Sequence, residues 1–158
     1  MFEKTIERLE EELMKLNYQF TVEIPKELNT AVALGDLSEN AEYHAAKEKK
    51  RNCERRLSMI KGRIRDLKKL DISKISKSGV GLGSIVTLED LDSGEEKIYE
   101  LAVADDVDAE NGKISIMAPV GKALLGKQVD DEVVINIPAG KKEYVVTKLV
   151  TIHDRSDL

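Results

Sequence analysis

Three carboxylates lie within seven residues of one another, at Asp36, Glu39 and Glu42, in a stretch that contains no lysine or arginine. Carboxylate oxygens are the ligands that hard cations such as Mg²⁺ prefer. Two carboxylates do not fill the coordination sphere of Mg²⁺, which needs several oxygen ligands. Asp36 and Glu39 are therefore predicted to complete a metal site that another protein supplies.

The same stretch admits a purely structural interpretation. Gly35 can end a helix in the left-handed conformation, and Asp36 can cap the helix that follows. Glu39, three residues later, then completes a capping box, and acidic side chains near a helix N-terminus also meet the positive end of the helix dipole. The residue types alone leave both interpretations open.

The periodicity of apolar residues predicts the elements that position these carboxylates. In a first arm, apolar residues recur at alternating intervals of four and three: Phe2, Ile6, Leu9, Leu13, Leu16 and Phe20. A second arm, predicted as a helix over residues 39–70, repeats the pattern: Cys53, Leu57, Ile60, Ile64 and Leu67, with Ala46 and Tyr43 extending it backwards. This is the heptad spacing of a coiled-coil seam, and a short turn at residues 34–36 joins the arms. The sequence therefore predicts an antiparallel coiled-coil hairpin with the carboxylates at its tip.

The seam of the first arm slips after Phe20. Ile24, Leu28 and Ala31 continue the seam after one extra step of four residues, and Pro25 lies at the slip. Because proline lacks an N–H and clashes with the preceding turn, a kink in the first arm is predicted there.

The composition changes near residue 76. Residues 1–75 contain two of the ten glycines, and the run at 76–83, rich in glycine and serine, is typical of a linker. Beyond it, β-branched stretches separated by turn signals predict five strands, at 84–88, 97–101, 113–117, 132–137 and 144–150, with a short helix at 122–125. The predicted fold class is α+β, with a helical domain over residues 1–75 and a β-rich domain over residues 79–158.

Charge and composition limit the classes of function. The net charge is −5, yet residues 47–69 carry 11 basic and 3 acidic side chains, whereas residues 76–158 carry 9 and 16. This asymmetry predicts a polyanionic or acidic partner for the helical part alone. No apolar run approaches the roughly 18 residues of a membrane span, no signal-peptide segment opens the chain, and Cys53 has no second cysteine to pair with. We therefore expect a cytoplasmic protein without a membrane partner.

Two motifs resemble those of a known family. The run GDLSENAEYHAAKE at residues 35–48 resembles the tip signature of the bacterial transcript cleavage factors GreA and GreB, and its HAAK portion is similar to the GreA branch. A second match lies in the β-rich part, with GKALLGK at 121–127, DEV at 131–133, PAG at 138–140 and then Tyr144. The motifs follow the family's order, and the resemblance covers essentially the whole chain.

The resemblance implies a fold and a mechanism. In such factors a C-terminal FKBP-like domain binds bacterial RNA polymerase, and the coiled coil enters the secondary channel that leads to the polymerase active site. There the tip carboxylates help to hold a second Mg²⁺ and an attacking water, and the polymerase's own site cleaves the backtracked nascent RNA. By resemblance, Asp36 and Glu39 are the metal-assisting pair, and Asn40, Glu42 and Tyr43 support the tip. The chain is then not itself an enzyme, and it shares Mg²⁺ with the polymerase rather than binding the ion alone.

A basic stretch follows the tip: Lys47, Lys49, Lys50, Arg51, Arg55 and Arg56. One interpretation is a solvated helix face, partly paired with glutamates of the first arm. The other, by resemblance to a basic patch of the family, is contact with the 3′ segment of nascent RNA through Lys47, Lys50, Arg51 and Arg55. The family commonly has arginine three residues before the tip glycine, where this chain has Val32, which predicts weaker RNA contact near the tip.

Other functions agree with parts of the pattern. An inhibitor of the same architecture would plug the channel without promoting cleavage, although the presence of both Asp36 and Glu39 favours a cleavage factor. A coiled-coil adaptor would use the acidic tip only as a helix cap. An autonomous Mg²⁺ nuclease is disfavoured because too few ligands stand in one place. The chain is expected to be a monomer.

Overall fold

The computed structural model describes residues 2–156, and the chain divides after Leu70 into two compact units. The first unit is helical and the second contains a five-stranded sheet, which confirms the α+β class. Residues 71–75, which composition grouped with the helices, belong to the second unit. Ile75 packs against Gly81 of the second unit, so closely that a Cβ on Gly81 would lie only 2.7 Å from the Ile75 Cγ2.

The first unit is an antiparallel helical hairpin. Its first arm consists of α1 (Glu3–Tyr18), a π-helical turn (Gln19–Glu23) and α2 (Ile24–Ala33), and its second arm is α3 (Ala41–Lys68). The predicted seam is confirmed, because nine of its apolar side chains are buried: Leu9, Ile24, Ala31, Ala46, Cys53, Leu57, Ile60, Ile64 and Leu67.

The slip in the first arm is accommodated by the π-helical turn. The N–H of Ile24 donates to the carbonyl of Gln19, five residues earlier, and Ile24 keeps helical backbone angles. A π turn inserts one extra residue, so the seam returns to the interface and Ile24 is fully buried there. Pro25 lies in the first turn of α2, directly after the π turn. At the slip where a kink was predicted, the structure has a π turn between the two helices of the first arm.

Gly62 lies in the middle of α3, and no neighbouring atom requires a glycine at this position. A Cβ placed on Gly62 would meet no atom within 4 Å, and its backbone is helical. We expect Gly62→Ala to raise the free energy of unfolding of the hairpin by about 1 kcal/mol, because glycine loses more backbone entropy in a helix. Urea unfolding of the full chain followed by helical circular dichroism measures it. Gly35→Ala is the opposing control and is expected to lower the stability, because Gly35 has φ +111° and alanine is strained there. A urea midpoint of Gly62→Ala equal to that of the wild type would contradict the prediction.

The second unit is a mixed sheet in the order β3-β2-β1-β5-β4. The bounds of its strands are β1 Ile85–Asp90, β2 Glu96–Ala102, β3 Lys113–Ser115, β4 Glu132–Ile137 and β5 Gly140–Val150. Neighbouring strands are antiparallel except β2 and β3, which are parallel. Each predicted strand is therefore present, although β3 is shorter than expected.

One face of the sheet forms the core of the second unit. Side chains of β1 alternate between half-buried and buried positions, with Val86 and Leu88 fully buried. The short helix α4 (Pro119–Leu124) covers this core with Leu124. Gly121 permits this packing, because a Cβ there would stand 2.2 Å from the carbonyl oxygen of Ser115. Within residues 2–156, no helix is long and apolar enough to cross a membrane.

Candidate functional site

The predicted tip is a seven-residue loop, residues 34–40, between α2 and α3. Gly35 has φ +111° directly after the end of the first arm, so the predicted helix-ending glycine occupies a backbone conformation that other residues rarely adopt. Asp36 and Glu39 are exposed in the loop, and Glu42 is exposed in the first turn of α3. The three carboxylates therefore face solvent at one end of the hairpin.

The capping-box interpretation of Asp36 and Glu39 is wrong. Helix α3 begins at Ala41, and its N-cap is Asn40, whose Oδ1 accepts from the N–H of Tyr43 at 3.0 Å. Asparagine caps helices as well as aspartate does, so the helix starts four residues later than an Asp36 cap would require. Both carboxylates thus precede the helix and have no capping role.

Asp36 instead organises the loop itself. Its Oδ1 accepts from the N–H of Ser38 at 3.0 Å and from the Ser38 hydroxyl at 2.8 Å. The backbone N–H of Ser38, and then its hydroxyl, hold the pKa of Asp36 below its ordinary value. Both bonds go to Oδ1, so Oδ2 is not engaged by Ser38. Asp36 therefore presents an ionised, oriented carboxylate at neutral pH.

Asn40 links the loop to both arms. Besides capping α3, its Nδ2 donates to the carbonyl of Ala31 on α2 at 2.7 Å. The Nε2 of His44, in the first turns of α3, lies 3.2 Å from the carbonyl oxygen of Ser38. The sequence carries no signal for the contacts of Ser38 and His44, because both depend on the conformation of the loop.

Tyr43 is half-buried on the seam and borders the tip. Its ring meets the His44 ring edge-on at 5.7 Å between centroids, and the Lys47 Nζ lies 5.3 Å from its centroid. Such contacts at exposed sites contribute little, about 0.5–1 kcal/mol. They place Tyr43 between the loop and the basic stretch.

The six basic residues after the tip fall into two groups. Lys49 donates to Glu27 at 2.6 Å, and Arg56 donates to Glu12 through two nitrogens at 2.6 and 2.9 Å. These two residues tie the arms together, as the solvated-face interpretation requires.

The other group consists of Lys47, Lys50, Arg51 and Arg55, which are exposed on α3. Lys50 lies over the Phe20 ring at 5.7 Å, and Arg55 donates to Asn52. Within residues 2–156 no carboxylate pairs with any of the four. Lys47, Arg51 and Arg55 recur at intervals of four and therefore share one face of the helix. Glu48 and Glu54 lie beside Arg51 and Arg55 on this surface without forming ion pairs with them, so the cations remain open to a partner. Val32, at the position where an arginine was expected by resemblance, is exposed as well.

In the part of the chain that the structure describes, no three or more His, Cys, Asp or Glu side chains cluster to hold a metal. The carboxylates of Asp36 and Glu39 suit Mg²⁺ in type and exposure, but they offer part of a coordination sphere only.

Comparisons with known proteins follow the same division of the chain. A family model described as the N-terminal part of a transcription elongation factor matches residues 1–69, and a model described as transcription elongation factor, GreA/GreB, C-terminal, matches residues 75–151. The chain belongs to the GreA/GreB family of transcription elongation factors. The resemblance of the tip and of the second motif is thereby confirmed.

Relatives of similar length share this family. The chain is 43% identical over 143 residues to the transcription elongation factor GreA of Thermodesulfovibrio yellowstonii, covering 90% of each chain. It is 38% identical over 147 residues to GreA of Anaeromyxobacter sp. (strain K), covering 93% of this chain and 89% of that one. Among solved structures, GreA factor homolog 1 of Thermus thermophilus is 29% identical with a TM-score of 0.43, covering 92% of this chain and 94% of the other.

Proposed function

We propose that this GreA/GreB family member stimulates the intrinsic, Mg²⁺-dependent cleavage of backtracked nascent RNA by bacterial RNA polymerase, and so rescues arrested elongation complexes. The observation that carries the proposal is the tip loop. It presents Asp36, ionised and oriented, at the end of an arm whose helix α3 alone has 28 residues. Such a helix spans about 42 Å, long enough to reach into a channel.

The chain contributes carboxylate oxygens rather than a complete active site. Asp36 and Glu39 would complete the coordination of a Mg²⁺ whose remaining ligands come from the polymerase and water. When bound, that ion supplies activation of the attacking water in a two-metal hydrolysis. Glu42 and Tyr43 border the loop, and Asn40 joins it to both arms. The factor is therefore an activator, and the polymerase is the enzyme.

The two other contacts of the proposal use different surfaces. The β-rich unit is proposed to bind the polymerase, and the face formed by Lys47, Arg51 and Arg55, with Lys50 beside it, to contact the 3′ segment of the RNA. Lysine and arginine neutralise RNA phosphates in a salt-dependent manner. The factor is proposed to act as a monomer in the cytoplasm.

A backtracked elongation complex with labelled RNA tests the proposal directly. With Mg²⁺, adding the chain is expected to accelerate release of 3′ RNA fragments, whereas the chain without polymerase is expected to cleave nothing. Binding without acceleration would identify an inhibitor of the same architecture. Absence of binding would leave the acidic tip without a polymerase role.

The face with unpaired cations makes a separate prediction. Replacing Lys47, Arg51 and Arg55 by glutamine is expected to weaken the salt dependence of the cleavage rate, measured at a limiting concentration of the factor. The slope of the logarithm of this rate against the logarithm of the salt concentration should decrease by up to about 0.7 for each lost phosphate contact. The matched control is Lys49→Gln with Arg56→Gln, because these cations are paired with Glu27 and Glu12. Cleavage rates across a potassium chloride series measure the slopes. Equal slopes for the two variants would contradict RNA contact by this face.

A further inference from the structure

We infer that Asn40 is a positioning residue that locks the carboxylate loop to both arms of the hairpin. The inference rests on the proposed function and adds a residue that acts through Asp36 and Glu39 rather than on the metal. Asn40 lies at the junction of loop and helix and is half-buried, whereas residues 32–39 are exposed.

Asn40 makes two hydrogen bonds in opposite directions. Its Oδ1 accepts from Tyr43 N–H at 3.0 Å on α3, and its Nδ2 donates to the Ala31 carbonyl at 2.7 Å on α2. Ala31 is buried in the seam, so the second bond fastens the end of the loop to the packed part of the first arm. We refer to this pair of bonds as the Asn40 clasp.

The asparagine side chain has the chemistry for both bonds. It carries an acceptor and a donor on one short, planar group, whereas aspartate has no donor and serine has a single oxygen one bond closer to the backbone. Serine and aspartate keep the N-cap acceptor for Tyr43. Neither retains an amide that can donate to Ala31. Capping of α3 and tethering across the arms are therefore separable by substitution.

A second set of contacts, centred on Ser38, holds Asp36 in the same loop. The Ser38 N–H and hydroxyl bond to Asp36, and the Ser38 carbonyl lies 3.2 Å from His44 Nε2. A carbonyl can only accept, so Nε2 carries the proton in this contact. The loop is thus held at Asn40 on one side and at Ser38 in its centre, and Asp36 is oriented by groups that are themselves held.

Release of the clasp is expected to raise the conformational freedom of residues 34–40 without unfolding the arms, whose seam is unchanged. A loop that samples more conformations presents the two carboxylates together in the required geometry less often. The consequence is a lower maximal rate of RNA cleavage and a higher Mg²⁺ requirement, with unchanged affinity for polymerase.

The test compares Asn40→Ser, which keeps the cap and loses the cross-arm bond, with Asn29→Ser, a matched change at an exposed position of α2. Asp36→Ala/Glu39→Ala is assayed in parallel. At saturating factor, Asn40→Ser is expected to lower the cleavage rate roughly tenfold and to raise the half-maximal Mg²⁺ concentration several-fold. Competition with labelled wild-type factor measures affinity for polymerase.

Amide hydrogen exchange gives a readout that does not depend on activity. In the free full-length chain, Asn40→Ser is expected to accelerate exchange in the loop while the Tyr43 amide stays protected. Asn40→Asp is expected to do the same and serves as a second variant, since an acidic residue at this helix end is also favourable.

Two results would overturn the clasp alone: cleavage and Mg²⁺ dependence equal to those of Asn29→Ser, or a loss explained entirely by weaker polymerase binding. In both cases Asp36→Ala/Glu39→Ala would still be inactive. If that double variant keeps full stimulation, the proposed function itself fails, and the clasp inference fails with it.

Discussion

Replacing Asp36 and Glu39 together by alanine is expected to lower factor-stimulated RNA cleavage by about a hundredfold or more, while binding to polymerase is retained. Removing a single preorganised electrostatic group commonly costs about 10²–10³ in rate. In the proposed function both carboxylates are ligands of one Mg²⁺, so the double variant would lose two ligands at once. The measurement is the cleavage rate of a backtracked complex at saturating factor, with affinity determined by competition.

The structure makes this experiment more decisive than the sequence does. If Asp36 had capped α3, its alanine variant would also have destabilised the helix. A loss of cleavage could then not have been assigned to the lost carboxylate. Because Asn40 caps the helix, both carboxylates can be removed with the N-terminus of α3 intact. Asp36→Asn sharpens the test, since its amide oxygen can still accept from Ser38 while the charge is lost.

A matched control removes two carboxylates from the hairpin away from the tip and the basic face. Glu7 and Glu11 are exposed on α1, so Glu7→Ala/Glu11→Ala changes the net charge equally. This control is expected to cleave at nearly the wild-type rate. Wild-type cleavage by Asp36→Ala/Glu39→Ala would show that the tip carboxylates have no part in the chemistry.

Elements defined by local periodicity could be predicted from the sequence. The heptad spacing identified the buried seam from Leu9 to Leu67, and β-branched runs between turns identified all five strands. These patterns persist because burial selects one face of each helix or strand. The π turn was visible only as a slip of the seam, since one extra residue can be accommodated by a kink or by a wider turn.

Details of the site depend on contacts between the arms and were less predictable. Asp36 and Asn40 are equally good caps by type, and the bond from Asn40 to Ala31, nine residues away, has no sequence signal. Likewise, which cations are neutralised depends on partners 22 and 44 residues distant, Glu27 for Lys49 and Glu12 for Arg56. Residue type located the candidate site, but only the fold distinguishes the paired cations from the unpaired ones.

The second large effect is expected in the β-rich unit, at Asp90. This carboxylate is 1% exposed at the end of β1 and accepts three hydrogen bonds. Lys142 donates at 2.6 Å from β5, and the N–H groups of Asp92 and Ser93 donate at 2.9 and 3.2 Å from the turn before β2. Asp90 therefore joins the turn between two central strands to a third strand.

Asp90→Ala is expected to lower the melting temperature of the β-rich unit by more than about 10 °C. The substitution leaves Lys142 and two turn N–H groups without their acceptor, and breaking a buried network of this kind is among the most destabilising single changes. The melting of sheet residues such as Tyr144 and Val146 can be followed by NMR in the full chain. Asp92→Asn, an exposed carboxylate in the same turn, is the control and is expected to melt within a few degrees of wild type. Equal melting temperatures for Asp90→Ala and Asp92→Asn would contradict the prediction.

The same network predicts a dependence of stability on pH. The Lys142 ammonium, followed by the N–H of Asp92, lowers the pKa of Asp90 to about 2, against an ordinary value of about 3.9. Because the folded state holds the pKa below its unfolded value, this stabilisation is present above about pH 4 and is lost as the pH falls toward 2. Asp90→Asn cannot titrate, so its melting temperature is expected to change less between these pH values than that of the wild type. A wild-type melting temperature that stays constant from pH 5 to pH 2 would show that Asp90 is not held as an ion by Lys142.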